Sequence, residues 1–391
     1  MISIQSKAFW TTLLGSLWLL FAPVTQAADE IKIGLTVSLS GNLAKLGQQQ
    51  LQGMQMWQED VNSRGALLGR PVKLIYYDDR SDPATSARLY ERLIGEDQVD
   101  LLLGPYSSDI TLAASTVAEE NSFPMLTVGA AAEAIWQRGY KNVFGIDVPA
   151  RAYMLSVVDM LKEHAPLRVA LVYEDDAVFT RDMAEGARSQ AAAHGLQIVF
   201  DKGFSLPNSD LSSLVRGMRD ANPDVVIGAV YYEGALGIMR ESLKQGLKAD
   251  LFALSVGPAA GPFGDTLGAG VEGVTGPVPW IRSDRRPFSF DFSHRYRQRY
   301  GSDAGYHAAF GYAAGQVLEA AVRLAGSLDR DKVRTQLSSM RFRSLLGNYQ
   351  VDETGKQVGH KTGVLQWQGG TRRLVWPPEV AETPLMFPAT P

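Results

Sequence analysis

Short runs of apolar, largely β-branched residues alternate along this chain with longer stretches whose apolar positions recur every three or four residues. IKIGLTV (31–37) is followed by helical spacing over 47–63, VKLIYY (72–77) by 83–95 and VDLLLG (99–104) by 109–121, with PMLTV (124–128) closing the series. Runs this apolar, bounded by Gly, Pro and Asp, do not fit the alternating pattern of a half-exposed antiparallel edge. They predict parallel strands buried on both faces, with helices covering both sides of the sheet.

The pattern then restarts. RVALVY (168–173) and helix 180–194, LQIVF (196–200) and helix 209–220, DVVIGAV (224–230) and helix 234–246, and LFAL (251–254) predict a second sheet of the same kind. Gly and Pro gather in IDVPARAYM and in VEGVTGPVPW (271–280), which suits connections between two lobes. A long helical pattern over 305–325 and a β-like tail, YQVDETG and GVLQWQ, close the chain. Asp82 before Pro83 suits a helix start, and Gly195 and Gly246 suit helix stops. The expected fold class is α/β, with two doubly wound parallel sheets.

Composition adds bounds to this picture. At 391 residues and 45% hydrophobic content the chain exceeds the roughly 250–300 residues at which single cores stop growing. A net charge of −4 offers no basic surface for nucleic acid. Residues 1–27 read apart from the rest, with Lys7 as their only charge, a mostly apolar stretch from Ala8 to Ala22, and Thr25-Gln26-Ala27 where a cleavage site is expected. A cleavable signal peptide and an exported mature chain follow, because the apolar run is shorter than the roughly 20 residues that cross a bilayer. The chain has no cysteine, which excludes a lipidated leader cysteine, a disulfide framework and thiolate metal sites.

Motifs that would signal an enzyme fail on context. Gly268-Ala269-Gly270-Val271-Glu272-Gly273 matches G-x-G-x-x-G by letter, yet it runs from helix-like sequence into a Gly/Pro-rich loop instead of from strand to helix. The five histidines, His164, His194, His294, His307 and His360, lack metal-ligand spacing and suit surface or helix-terminal positions. Asp78, Asp79 and Asp82, and likewise Glu174, Asp175 and Asp176, stand at strand ends where loop entry and helix capping account for acids. There is no G-x-S-x-G elbow or matched S-x-x-K set. HRYRQRY (294–300) has the spacing of a solvated helix face. No cofactor, metal or catalytic residue is expected.

Strand ends hold the remaining chemistry. In doubly wound sheets, ligands bind beyond the carboxyl ends of the strands, where free N–H groups and the positive end of a helix receive anions. Leu103-Gly104-Pro105-Tyr106-Ser107-Ser108-Asp109 has this form: Gly104 and Pro105 turn the chain, and Ser108 can either cap the helix or donate its hydroxyl to a carboxylate. The small residues of Thr127-Val128-Gly129-Ala130-Ala131-Ala132-Glu133 let backbone groups approach a ligand. The second half supplies aromatics at equivalent ends, Phe179 and Tyr231-Tyr232. Two lobes with facing strand ends describe a cleft that closes on a solute.

Together, IKIGLTVSLSG, the A-x-x-G of Ala44 to Gly47, DVNSRGALLGRPVKLIYYDDRSDP and GPYSSDITLAAS resemble the type I periplasmic binding proteins of the leucine/isoleucine/valine class, the solute receptors of ABC importers. The likeness runs over essentially all of the chain beyond the leader, through YHAAFGYAAGQVLEAAVRLAGS and the VDETG turn. It implies one lobe from 28–148 plus 278–346 and another from 149–277 plus 347–391, joined by a three-segment hinge near Val148, Pro277 and Gly347. It also implies a periplasmic receptor that passes a small carboxylate-bearing solute to a membrane permease. A sensing subunit that reports the solute to a chemoreceptor or regulator is the alternative on the same fold.

In that family the ligand carboxylate is held by a serine and backbone groups that match Ser108, Gly129 and Ala130, with Tyr106 in the same loop. The hydroxyl residue that follows falls on Ala131, the second-lobe tyrosine on Phe179, and the next aromatic on Tyr231 or Tyr232. The acid that receives an α-ammonium falls on Val256, the first-loop tryptophan on Leu46, and the disulfide positions on Ser81 and Ser107. An ammonium buried without an acceptor costs several kcal/mol, so these departures imply a ligand with a carboxylate and an apolar or aromatic body, not necessarily an α-amino acid. Glu233 or Asp175 would have to substitute if an ammonium were present.

Overall fold

The computed structural model describes residue 2 and residues 29–206, 209–282 and 288–389, so the expected leader lies outside the described residues apart from Ile2. Its first half builds β1 (Ile31–Val37), α1 (Ala44–Ser63), β2 (Val72–Asp78), α2 (Pro83–Gly95), β3 (Leu101–Leu103), α3 (Ser108–Glu120), β4 (Met125–Thr127) and β5 (Val143–Gly145). These strands form a sheet of order β2-β1-β3-β4-β5 with every pair parallel. Strands β3, β4 and β5 are buried along their whole length, as their uninterrupted apolar runs require.

The short helices α4 (Ala150–Tyr153) and α5 (Leu155–Leu161) lead into β6 (Leu167–Glu174), α6 (Val178–Ala193), β7 (Leu196–Phe204), α7 (Leu211–Asp220), β8 (Val225–Ala229), α8 (Tyr232–Gln245), β9 (Leu251–Leu254), α9 (Gly261–Leu267) and β10 (Thr275–Val278). Helices α10 (Ser289–Tyr300), α11 (Tyr306–Ala325) and α12 (Arg330–Ser339) follow, then β11 (Phe342–Ser344), β12 (Gly347–Tyr349), β13 (Gly363–Gln368) and β14 (Thr371–Trp376). The second sheet has the order β14-β13-β10-β9-β8-β6-β7. Its β6 to β10 portion is parallel and wound like the first sheet, whereas β13 and β14 add antiparallel strands at one edge. The β-like tail is thus a hairpin closing the second sheet.

The chain passes between the two sheets three times: after β5, after β10, and between β12 and β13. Helices α10 and α11 return to the first sheet and pack on α1. The cations of HRYRQRY serve that return, because Arg295 Nη1 lies 2.7 Å from Asp60 and Arg299 pairs with Glu59, both acids of α1. Tyr312 completes the contact by donating to Asp60 at 2.6 Å.

The acidic clusters act as loop and helix supports. Asp79 accepts from Thr36 at 2.9 Å and Ser38 at 2.7 Å, while Asp82 caps α2 by accepting the Thr85 N–H at 2.7 Å. Gly268–Val271 is one 3₁₀ turn between α9 and β10, so the G-x-G-x-x-G letters open no helix after a strand.

Candidate functional site

Each sheet reverses its winding beside its first strand, between β1 and β3 in one and between β6 and β8 in the other. A crevice beyond the carboxyl ends is the expected ligand position in such sheets. Here the two crevices face each other. A cavity between them is lined by Tyr106, Ser107, Ser108 and Gly129 from the first sheet's loops and by Phe179, Tyr231 and Val256 from the second. Asp147 and Tyr153 join from the first connecting segment, and Tyr306 and Phe310 from the start of α11.

The turn at Gly104 brings these groups together. A Cβ on Gly104 would lie 2.8 Å from the Thr127 Cα, so only glycine lets the β3 exit press against β4. Ser107 is the N-cap of α3 and its Oγ accepts the Ile110 N–H at 3.4 Å. It holds φ 75° and ψ 149°, a region nearly restricted to glycine, with a cost on the order of 1–3 kcal/mol. Ser108 is the first helical residue and does something different. Its Oγ accepts the N–H groups of Ala131 at 3.1 Å and Ala132 at 3.0 Å, tying the ends of β3 and β4 together. An oxygen that accepts twice still has its proton to give, and a ligand carboxylate at this helix N-terminus can take it.

Aromatic rings make the opposite walls. Phe179 packs edge-on against Tyr153 at 5.3 Å between centroids and lies 5.8 Å from Tyr231, and Tyr306 packs edge-on against Phe310 at 5.5 Å. Behind Tyr106 stands buried His307, with Nε2 3.0 Å from the Tyr106 hydroxyl. Burial pushes its pKa down to about 3, so it is a neutral partner to the phenol. It stands in the first turn of α11, a helix-terminal position as expected, and it is the one histidine of the five that is fully buried, because that turn folds under the first sheet's loops.

Two acids are also buried. Desolvation raises Asp147 to about 8, with only the Val148 N–H, 2.7 Å from Oδ1, favouring its charged form. Desolvation likewise raises Glu174 to about 7, although it accepts the Tyr231 N–H at 2.9 Å. Among the described residues, the cavity lining contains no lysine or arginine.

Of the residues singled out by sequence, Tyr106, Ser108, Gly129, Phe179, Tyr231 and Val256 come together around the cavity. Leu46, Ala130, Ala131 and Tyr232 do not line it. Leu46 sits half-buried in the first turn of α1. The Ala131 N–H is taken by Ser108, Ala130 packs with Ile135 and Trp136, and Tyr232 turns edge-on to Phe263 at 6.2 Å. Glu233 and Asp175, the suggested substitutes for an acid at Val256, are exposed; the acid at the cavity is Asp147.

Sequence reasoning missed Asp147, Tyr153, Tyr306 and Phe310, and gave Ser107 only as a lost cysteine position. Asp147 did carry a signal, as a lone acid just beyond the apolar strand VFG. Tyr306 and Phe310 did not: they stand about 200 residues from Tyr106 in the chain and read as ordinary positions of a long helix.

The cavity is shut by a contact across it. The Glu133 N–H donates to Asp182 Oδ2 of α6 at 2.8 Å, while Lys356, whose neighbour Gly355 accepts the Gly145 N–H of β5, pairs with Glu133 at 3.3 Å from the first sheet's own side. Two sheets of matching winding that enclose a small chamber between their carboxyl ends define a cleft-type solute-binding protein. The chain belongs to the periplasmic binding protein family, whose model matches residues 30–372.

It is 26% identical over 390 residues to a Leu/Ile/Val-binding protein homolog of Brucella suis, covering 94% of this chain and 97% of that protein. A branched-chain amino acid transporter substrate binding protein from Streptococcus pneumoniae, solved with isoleucine, superposes with a TM-score of 0.80 at 19% identity, covering 88% and 98% of the two chains. A solute binding protein of R. palustris, solved with benzoate, gives 0.77 at 20% identity, covering 92% and 97%. Among the described residues no helix is long and apolar enough to cross a membrane.

Proposed function

We propose that this chain is the periplasmic solute receptor of an ABC importer of the branched-chain-amino-acid type, exported by a leader over 1–27. It takes a small carboxylate-bearing solute between its two lobes, and it presents the closed form to a membrane permease. Hinge closure at the three passages between the sheets accompanies binding. The observation that carries this reading is the shut chamber itself, with a helix N-terminus and the Ser108 hydroxyl on one side and aromatic rings on the other.

Isoleucine and benzoate, present in two of the similar structures, both carry a carboxylate. Catalysis has no part in this reading.

The test is a thermal-shift screen of the purified protein against amino acids, 2-oxo acids, aliphatic acids and aromatic acids, followed by calorimetry on the hits. Ser108→Ala is expected to weaken any hit by about 10-fold or more, the loss of one hydrogen bond to a charged group. Unchanged affinity in that variant would reduce Ser108 to a strut between β3 and β4. A screen in which no carboxylate raises the melting temperature would end the proposal.

A further inference from the structure

Asp147 is out of place in a chamber built only for an anion. It is buried, 4% exposed, and lines the cavity. One carboxyl oxygen accepts the N–H of the next residue, Val148, and among the described residues no hydrogen bond reaches the other. A buried carboxylate without a cation is unfavourable by several kcal/mol, and proteins ordinarily neutralise it with a partner or a proton. No lysine or arginine among the described residues lines this chamber. The groups that face Asp147 are phenols: Tyr106, Tyr153 and Tyr306 are all held well above their ordinary range by burial first, with the Asp147 charge contributing. A carboxyl among tyrosine rings, lacking only a counter-charge, is the composition of a site for a cationic nitrogen.

We propose that Asp147 receives a cationic nitrogen of the ligand, with Tyr106, Tyr153 and Tyr306 walling that pole of the cavity. The inference rests on the solute-receptor reading above and narrows it. The solute is an amine-bearing one, and it is a zwitterion where Ser108 takes the carboxylate. Val256, buried and apolar, then faces the hydrocarbon part of the solute instead of its ammonium. Without ligand, Asp147 keeps its proton at neutral pH, since burial raises it to about 8. An arriving ammonium gives it reason to ionise, so the proton leaves as the ion pair forms.

Calorimetry on the full protein with matched probes separates the possibilities. A panel of α-, β- and γ-amino acids is paired with des-amino analogues of the same skeleton, and simple amines of similar size form a third arm. In wild type the best amino member is expected to bind roughly 100-fold tighter than its des-amino partner, the range typical of a buried charge pair. Asp147→Asn keeps the shape and the acceptor for Val148, and is expected to abolish that gap while leaving the des-amino acid within about 3-fold.

A variant that fails to fold leaves a second reading on wild type. Titrations in two buffers of different ionisation enthalpy at pH 7 should show more proton release with the amino ligand than with its des-amino partner. Glu174, which also titrates near neutrality, sits behind Tyr231; closure on either ligand affects it equally, so the difference reports Asp147. The tyrosines facing the cavity and His307 behind Tyr106 do not change charge near pH 7.

Des-amino acids binding as well as or better than amino acids, or an unchanged gap in Asp147→Asn, would overturn the inference while leaving the carboxylate receptor intact. Binding of amines alone would uphold Asp147 and overturn the carboxylate. Silence from every arm would instead count against the solute-receptor reading itself.

Discussion

His307 illustrates how a single residue supports the chamber without touching its contents. It braces the Tyr106 hydroxyl from behind at 3.0 Å, and its burial holds it neutral down to about pH 3. In the unfolded chain the same imidazole titrates near 6.5. Between those values the unfolded state binds more protons, so this stabilising contribution is complete above about pH 6.5 and is lost progressively as pH falls toward 3. Asp147 has the opposite sign, because its folded value of about 8 lies above its unfolded one: its contribution is complete below about pH 4 and is lost as pH rises through 8. Replacing His307 by Gln keeps a polar partner for Tyr106 and removes the titration. The wild-type advantage over His307→Gln in urea unfolding should shrink between pH 7 and pH 4.5 by about 1–3 kcal/mol. An advantage that stays constant across that range would mean the imidazole is already hydrated in the native state.

The crossing of α1 and α11 is the element on which the first lobe's wall depends. A Cβ on Gly53 would sit 1.9 Å from the Ala308 carbonyl oxygen, and one on Gly311 would sit 2.0 Å from that of Gln50. The helices therefore meet backbone to backbone, closer than larger side chains allow. Gly311→Ala must push them apart, and an overpacked core ordinarily loses about 1–3 kcal/mol. The same shift carries Tyr306 and Phe310 with it, so ligand affinity should fall along with the urea midpoint. Stability within about 0.5 kcal/mol of wild type would show that the crossing can relax without cost. The small-residue run of GYHAAFGYAAG announced a helix in the sequence, but which helix it would meet, some 250 residues away, it did not announce.

At the scale of the whole molecule, affinity depends on how readily the cleft stays shut. Asp182 of α6 holds the Glu133 N–H from across the opening, clear of the chamber lining. Losing that bond in Asp182→Ala favours the open form, and a smaller closed fraction weakens every ligand by the same factor. About 3- to 10-fold is expected for each hit in calorimetry, with the ratios between ligands unchanged. A change in those ratios would place Asp182 in contact with the solute.

The sequence by itself determined the two α/β windings and the strand-end loops that bear Ser108, Phe179, Tyr231 and Val256. Both follow from local rules: apolar period, turn residues and helix starts are written within a dozen positions of where they act. Tertiary structure alone decided that Tyr306 and Phe310 return from α11 to close the chamber, that Ser108 spends its oxygen on Ala131 and Ala132, and that Asp147 stands there with no lysine or arginine among the described lining residues. Those facts come from segments far apart in the chain and from burial, which sets the charge of an acid and has no local signature in the sequence.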